Sequence, residues 1–165
     1  MAGKQVIPGT KMRWAFKPQI MRKLLNFWPP FFFSGIRVAV LAEDYRYARV
    51  ELKNRPWTRN INSSQFGGSM FAMTDPIFPL LLMGALGKEY MVWDKQADID
   101  YIKPGIGRLV AEFILTDEAV ADIVMHTATG SKYFPEFVVH IKDQDNNIVC
   151  EVNRTVYIRK KPKYR

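Results

Sequence analysis

The 165-residue chain predicts an α+β domain in which a curved antiparallel sheet wraps a hydrophobic helix. Stretches of strand alternation are joined by short polar turns, which implies hairpins rather than parallel crossovers. Between them, Pro76 to Gly87 is apolar on every side, so a sheet or a partner subunit must enclose it. Hydrophobic residues make up 48% and charged residues 24% of the chain, which excludes disorder and, at this length, fits one domain.

The elements follow in order. Met12 to Phe27 reads as a helix, interrupted or restarted at Pro18, with Ile20, Leu24 and Phe27 on one face. Pro29-Pro30 breaks it, and Phe31 to Ser34 lead into the body. Residues 1–34 are therefore expected to form a helical extension and 35–165 the main domain. Ile36, Val38, Val40 and Ala42 alternate with Arg37, Ala39, Leu41 and Glu43, and after a turn at Asp44 a second alternating run reaches Lys53, giving a hairpin. Asn54 to Ser64 is a polar loop in which Ser63 or Ser64 is expected to cap the central helix. Pro76 and Pro79 each remove a helical hydrogen bond, so that helix must kink or restart near Asp75. Strands are predicted over Tyr90 to Ile102 and Arg108 to Thr116, then a short helix N-capped by Asp117 and running to about Thr127. A last hairpin, Phe134 to Lys142 and Asn147 to Arg159, turns at Asp143–Asn147.

The net charge is +8, and basic residues cluster at both ends: Lys11, Arg13, Lys17, Arg22 and Lys23, then Arg159, Lys160, Lys161, Lys163 and Arg165. Such clusters serve nucleic acid, acidic headgroups or a phosphate-bearing ligand, but charge alone rarely identifies a partner, and a solvated tail and a solvated helix face are the expectation. The basic and aromatic stretch from Met12 to Phe33 has the composition of an interfacial helix, yet its apolar residues are spaced for packing. No nucleic-acid or membrane contact is therefore expected. The single Cys150 excludes an internal disulfide, and no apolar segment resembling a signal peptide occurs in Met1–Thr10, so a cytoplasmic protein is expected. His126 and His140 have no Cys or carboxylate at ligand spacing, so no metal is expected. Cys150 shares its strand face with Ile148, Val152, Val156 and Ile158, which points to core rather than nucleophile.

Asp75 is the only charged residue between Phe66 and Leu86. A carboxylate buried there would lose much of its hydration, so it is expected to be protonated, paired or functional. Gly67-Gly68 ahead of it allow close approach of a backbone or ligand. With Asn60, Gly67, Gly68 and Asp75 at these spacings, the chain resembles the hotdog-fold thioesterase superfamily, in the branch around the phenylacetate-pathway thioesterases. Within it, the chain is similar to a bacterial group of tetrameric acyl-CoA thioesterase-like proteins. The resemblance covers about Gly35 to Lys160 and includes the strand ending Ile99-Asp-Tyr-Ile-Lys-Pro104.

That resemblance implies hydrolysis of an acyl-CoA or acyl-carrier thioester at a subunit interface, in a homodimer or homotetramer, with no cofactor beyond the coenzyme A thioester itself as substrate. It implies Asp75 as general base or nucleophile, an amide of Gly67 or Gly68 as oxyanion donor, Asn60 orienting water or the carboxylate, and Asp94 as a helper. Phe66 stands where the family has His, at the substrate's approach. Met70, with Phe71, Met73 and Phe78, is a candidate acyl-pocket lining; Arg159 and Lys160 are candidates for the coenzyme A phosphates. The residues also admit other readings: Asn60 as a loop-turn residue, Asp94 paired with Lys95 or Arg159, and the whole chain as a non-catalytic acyl binder or oligomeric scaffold.

Overall fold

Residues 17–165 are described by a computed structural model; Met12 to Phe16 of the expected first helix lie outside them. Helix α1 runs Pro18–Phe27, with proline at its first position, where no intrahelical donor is needed. Phe31 to Ser34, expected as a lead-in, belong to a second short helix, α2 (Pro29–Ser34), which ends on left-handed Gly35 (φ 77°).

Six strands form one antiparallel sheet: β1 (Ile36–Leu41), β2 (Tyr47–Leu52), β3 (Tyr90–Tyr101), β4 (Leu109–Ile114), β5 (Glu136–Lys142) and β6 (Ile148–Lys160). Their order is β1-β2-β4-β5-β6-β3. The alternation read from the sequence is the burial alternation of the sheet: Ala48, Val50 and Leu52 are buried while Tyr47, Arg49 and Glu51 are not. The longest ladder pairs β3 with β6 from Tyr90↔Lys160 to Tyr101↔Cys150, with a bulge at Lys95.

The two sheet edges differ. β1 is covered by α1: Asn26 Oδ1 accepts from Val38 N (2.7 Å), Asn26 Nδ2 donates to Val38 O (3.1 Å), and Arg22 Nη1 donates to Ala39 O (2.8 Å). A side-chain amide thus takes the place of a neighbouring strand. β3, at the other edge, has a neighbouring strand only on its β6 side among the described residues.

The central helix is split into α3 (Gly67–Ala72) and α4 (Ile77–Leu86), separated by Met73–Pro76, with the Asp75–Pro76 peptide cis. The restart expected from Pro76 is therefore present. Phe78 of α4 lies against Phe113 (5.2 Å between ring centroids) and Phe137 (4.5 Å), and Leu80, Leu81 and Leu82 are buried with it. Gly67–Glu89 has the length and apolar composition of a membrane-crossing helix, but it is broken in the middle and half buried under the sheet, as a core helix is. The cap of α3 is Phe66, not a serine: Ser64 is buried and tied to Asn60 instead. Helix α5 (Asp117–Thr127) is likewise capped one residue earlier than expected, by Thr116, whose hydroxyl accepts from Ala119 N.

Candidate active site

Two groups of residues occupy the two ends of α3. At its start, Phe66 N donates to Thr58 O (3.2 Å) and Gln65 N to Gly105 O (2.8 Å), fixing the entry of the loop. Gly67 and Gly68 hold the first two helical positions, whose N–H groups have no intrahelical acceptor and carry the positive end of the helix dipole. Tyr101, near the end of β3, donates its hydroxyl to Gly67 O (3.0 Å). A Cβ on Gly67 would sit 3.2 Å from that ring, so the glycine makes room for the tyrosine. The Phe66 ring is 57% exposed and lies over Gly68, close enough to meet a Cβ there at 2.4 Å.

Asn60 is spent on the loop. Its Oδ1 accepts from Asn62 N (2.9 Å), Ser64 N (3.2 Å) and Ser64 Oγ (3.0 Å), leaving only Nδ2 without a partner among the described residues. The turn-forming reading of this residue accounts for its oxygen.

At the other end of α3, Asp75 is exposed, not buried as its apolar sequence neighbours suggested. The α3–α4 corner turns it outward while its neighbour Thr74 points into the core. Thr74 Oγ1 donates to Phe71 O (2.8 Å) and accepts from Arg154 Nη2 (2.9 Å) and Nε (3.3 Å). Arg154, only 2% exposed, also donates from Nη1 to Asp94 Oδ2 (2.8 Å) and lies over the Phe71 ring (5.4 Å). The partner of Asp94 is thus Arg154, not Lys95 or Arg159. Asp94 Oδ1 is buried with no hydrogen-bond partner among the described residues. Burial pushes the Asp94 carboxyl above its usual value; the Arg154 guanidinium opposes this, and the charge of Asp75 adds to it.

Arg154 was missed in the sequence, although its phase announces it. It lies on the β6 face that carries Cys150, Val152, Val156 and Ile158, and a cation there requires a buried acceptor. Ile148, assigned to the same face, is 38% exposed at the strand start.

The remaining candidates lie elsewhere. Met70 is core, with its sulfur 3.7 Å from Cys150 Sγ, and Met73 and Phe78 are buried too. Cys150 is fully buried, and desolvation pushes its thiol up to about 11. Arg159 Nε donates to Gly130 O (2.8 Å), and the Lys160 ammonium lies over Tyr90 (6.0 Å), at the opposite end of the β3–β6 ladder from Tyr101. His140 pairs with Glu151 (2.9 Å) on a half-exposed stretch of sheet, and His126 with Asp122 (3.1 Å). No group of three metal-ligating side chains occurs among the described residues.

Gly67 opens α3, and Asp75 lies beyond its far end, in the break before α4.

No curated protein matches the chain in sequence. Solved structures share its architecture: a protein of unknown function from Pseudomonas aeruginosa described as a probable thioesterase (PA5026; TM-score 0.78, 18% identity, 87% of this chain and 95% of that one). The thioesterase HI1161 of Haemophilus influenzae (0.63, 14%, 87% and 90%) and the Escherichia coli PaaI protein from the phenylacetic acid degradation operon (0.58, 15%, 88% and 94%) are also similar. At these identities the likeness concerns the fold, which is the hotdog fold. Residues 17–158 match the family described as domain of unknown function DUF4442, and the chain belongs to that family.

Proposed function

We propose that the chain hydrolyses an acyl thioester, of coenzyme A or of an acyl carrier, at sites shared between two copies. The observation that carries this reading is the division of the candidate groups over the two ends of α3, beside the open edge of β3. Antiparallel pairing of β3 with a second copy about its middle brings the Tyr101–Gly67 end of one chain toward the Asp94–Asp75 end of the other. The exposed Asp75 carboxylate then faces the free amides of the helix start across the interface. The thioesterase names among proteins of this fold support the same class.

In this scheme the N–H of Gly67 or Gly68 stabilises the oxygen of the thioester carbonyl as it gains charge. Asp75 takes a proton from water as the water oxygen bonds to the carbonyl carbon, and the tetrahedral intermediate collapses by breaking the C–S bond. The thiolate leaves and is protonated, giving a carboxylic acid and a free thiol. In the alternative route, Asp75 attacks directly and the resulting anhydride is hydrolysed. Arg154 is a positioning residue in either case, holding Thr74 beside Asp75 and fixing Asp94. A reducing, cytoplasmic setting belongs to the proposal, supported by the single, buried thiol.

The second reading is an acyl-ligand binder without turnover, favoured by one observation: the Phe66 ring lies over the helix start where the amides would receive an oxygen. Assay against acyl-CoA thioesters of varied chain length decides between them. The first reading expects hydrolysis that Asp75→Asn lowers by about 10²–10⁴-fold without loss of folding. Binding with no turnover in wild type favours the second, and neither binding nor turnover contradicts both.

A further inference from the structure

The helical hairpin α1–α2 buries little of itself. No residue of α1 is buried, and Phe31 is the only buried residue of α2. Phe27 is 75% exposed, Phe33 70% and Trp57, on the adjoining loop, 69%; Leu24, Trp28 and Phe32 are nearly half exposed. Part of this surface is continuous: Arg55 lies over both Phe32 (6.0 Å) and Trp57 (5.3 Å), and Phe32 packs edge-on against Phe33 (5.5 Å). A contiguous apolar surface of this kind needs something to cover it.

Charge says what kind of cover. No Asp or Glu occurs before Glu43, and none between Glu51 and Asp75, the two stretches that build this face. Beside the aromatics lies a cleft of about 170 Å³ lined by Asn26, Phe32, Ile36, Arg37, Lys53 and Arg55, three cations and no acid. Glu51, which faces Arg37 across the β1–β2 ladder, is shared instead by Arg49 (3.8 Å) and Arg108 (3.9 Å). Lys17 and Lys23 add two exposed charges along α1.

We propose that this face seats the protein on an anionic lipid surface: the aromatics enter the interfacial layer, and the Arg37–Lys53–Arg55 cleft takes a phosphate headgroup. Aromatic and aliphatic side chains rimmed by cations, with no anion among them, match the two layers of such a surface, an apolar interior under a negatively charged plane. A second copy fits less well, since a twofold contact would set the cationic face against itself. Nucleic acid matches the charge, yet gains nothing from Leu24 and Phe27, which carry no group that reads a base or a phosphate. The inference does not depend on the hydrolase reading.

Flotation of the full-length protein with phosphatidylcholine vesicles, with and without phosphatidylglycerol, tests it. Binding is expected only with the anionic lipid, and weaker in raised salt. Phe27→Ser with Phe33→Ser should cut partitioning by at least about tenfold. Arg37→Glu with Lys53→Glu should cut it comparably. Phe27, Phe33 and Arg37 are exposed and Lys53 is half-buried, so thermal unfolding and the elution volume of both variants should match wild type. No binding, equal binding to neutral vesicles, or binding that neither pair weakens would overturn the proposal. A changed elution volume for the Phe27/Phe33 variant would overturn it in favour of self-association. Displacement from vesicles by single-stranded oligonucleotide at equal charge would overturn it in favour of nucleic acid.

Discussion

Arg154 is where the residue-level account is most exposed to test. It is a buried cation with three donors committed, two to Thr74 and one to Asp94. Replacing it with methionine keeps much of the volume but leaves Asp94 without its counter-charge and Thr74 without its donor. A destabilisation of about 2–4 kcal/mol is expected from chemical denaturation, reduced from the fully buried case because Asp94 keeps some solvent contact. The sign of the accompanying pH effect is fixed. The folded Asp94 pKa lies above its unfolded value, so the folded state binds more protons in that window. This contribution to stability is present below about pH 4 and is lost as pH rises through the raised value. Asp94→Asn should flatten that part of the stability–pH curve; an unchanged curve would remove Asp94 from the account. Asp143 runs the other way. Its bond to Lys103 (2.6 Å) holds its carboxyl down to about 2, so its contribution is present above about pH 4 and lost as pH falls toward 2. The sequence singled out Asp75 but not where it points. Its apolar neighbours suggested burial, whereas the corner at Pro76 buries Thr74 and turns Asp75 out.

At the scale of elements, periodicity carried most of the information. The strands lie within about two residues of their predicted ends, because alternation and burial are the same property when one sheet face is covered. The break of the central helix followed from two prolines. Helix caps were harder, since Ser64 prefers the side chain of Asn60 and Thr116 competes with its neighbour Asp117. Least legible was the role of α1, whose Asn26 and Arg22 close the β1 edge through long-range bonds that no local pattern encodes. Asn26→Ala should cost about 1–2 kcal/mol in urea unfolding, for two lost hydrogen bonds. It should also raise concentration-dependent light scattering by freeing a sheet edge. A variant as stable and as monodisperse as wild type would contradict this role.

For the whole molecule, the closed β1 edge and the open β3 edge leave one direction for growth of the sheet. The family resemblance implied a site shared between copies, and the proposal of such a site rests on Gly67 and Asp75 lying at opposite ends of α3. The central claim is that the helix start of one copy works with Asp75 of another. Gly67→Pro removes one candidate amide while keeping a residue suited to the first helical turn; Phe66 already has the extended conformation that precedes proline, and the Tyr101 ring must give by a few tenths of an ångström to admit the new Cβ. The measurement is acyl-CoA hydrolysis by Gly67→Pro and Asp75→Asn proteins, each first assayed alone to establish its loss of activity, after subunits are mixed in equal amounts and allowed to exchange. A twofold pair with shared sites predicts recovery of about a quarter of wild-type activity, because half the pairs are mixed and each of those has one intact site. No recovery despite demonstrated exchange would contradict the claim and place the chemistry within a single chain.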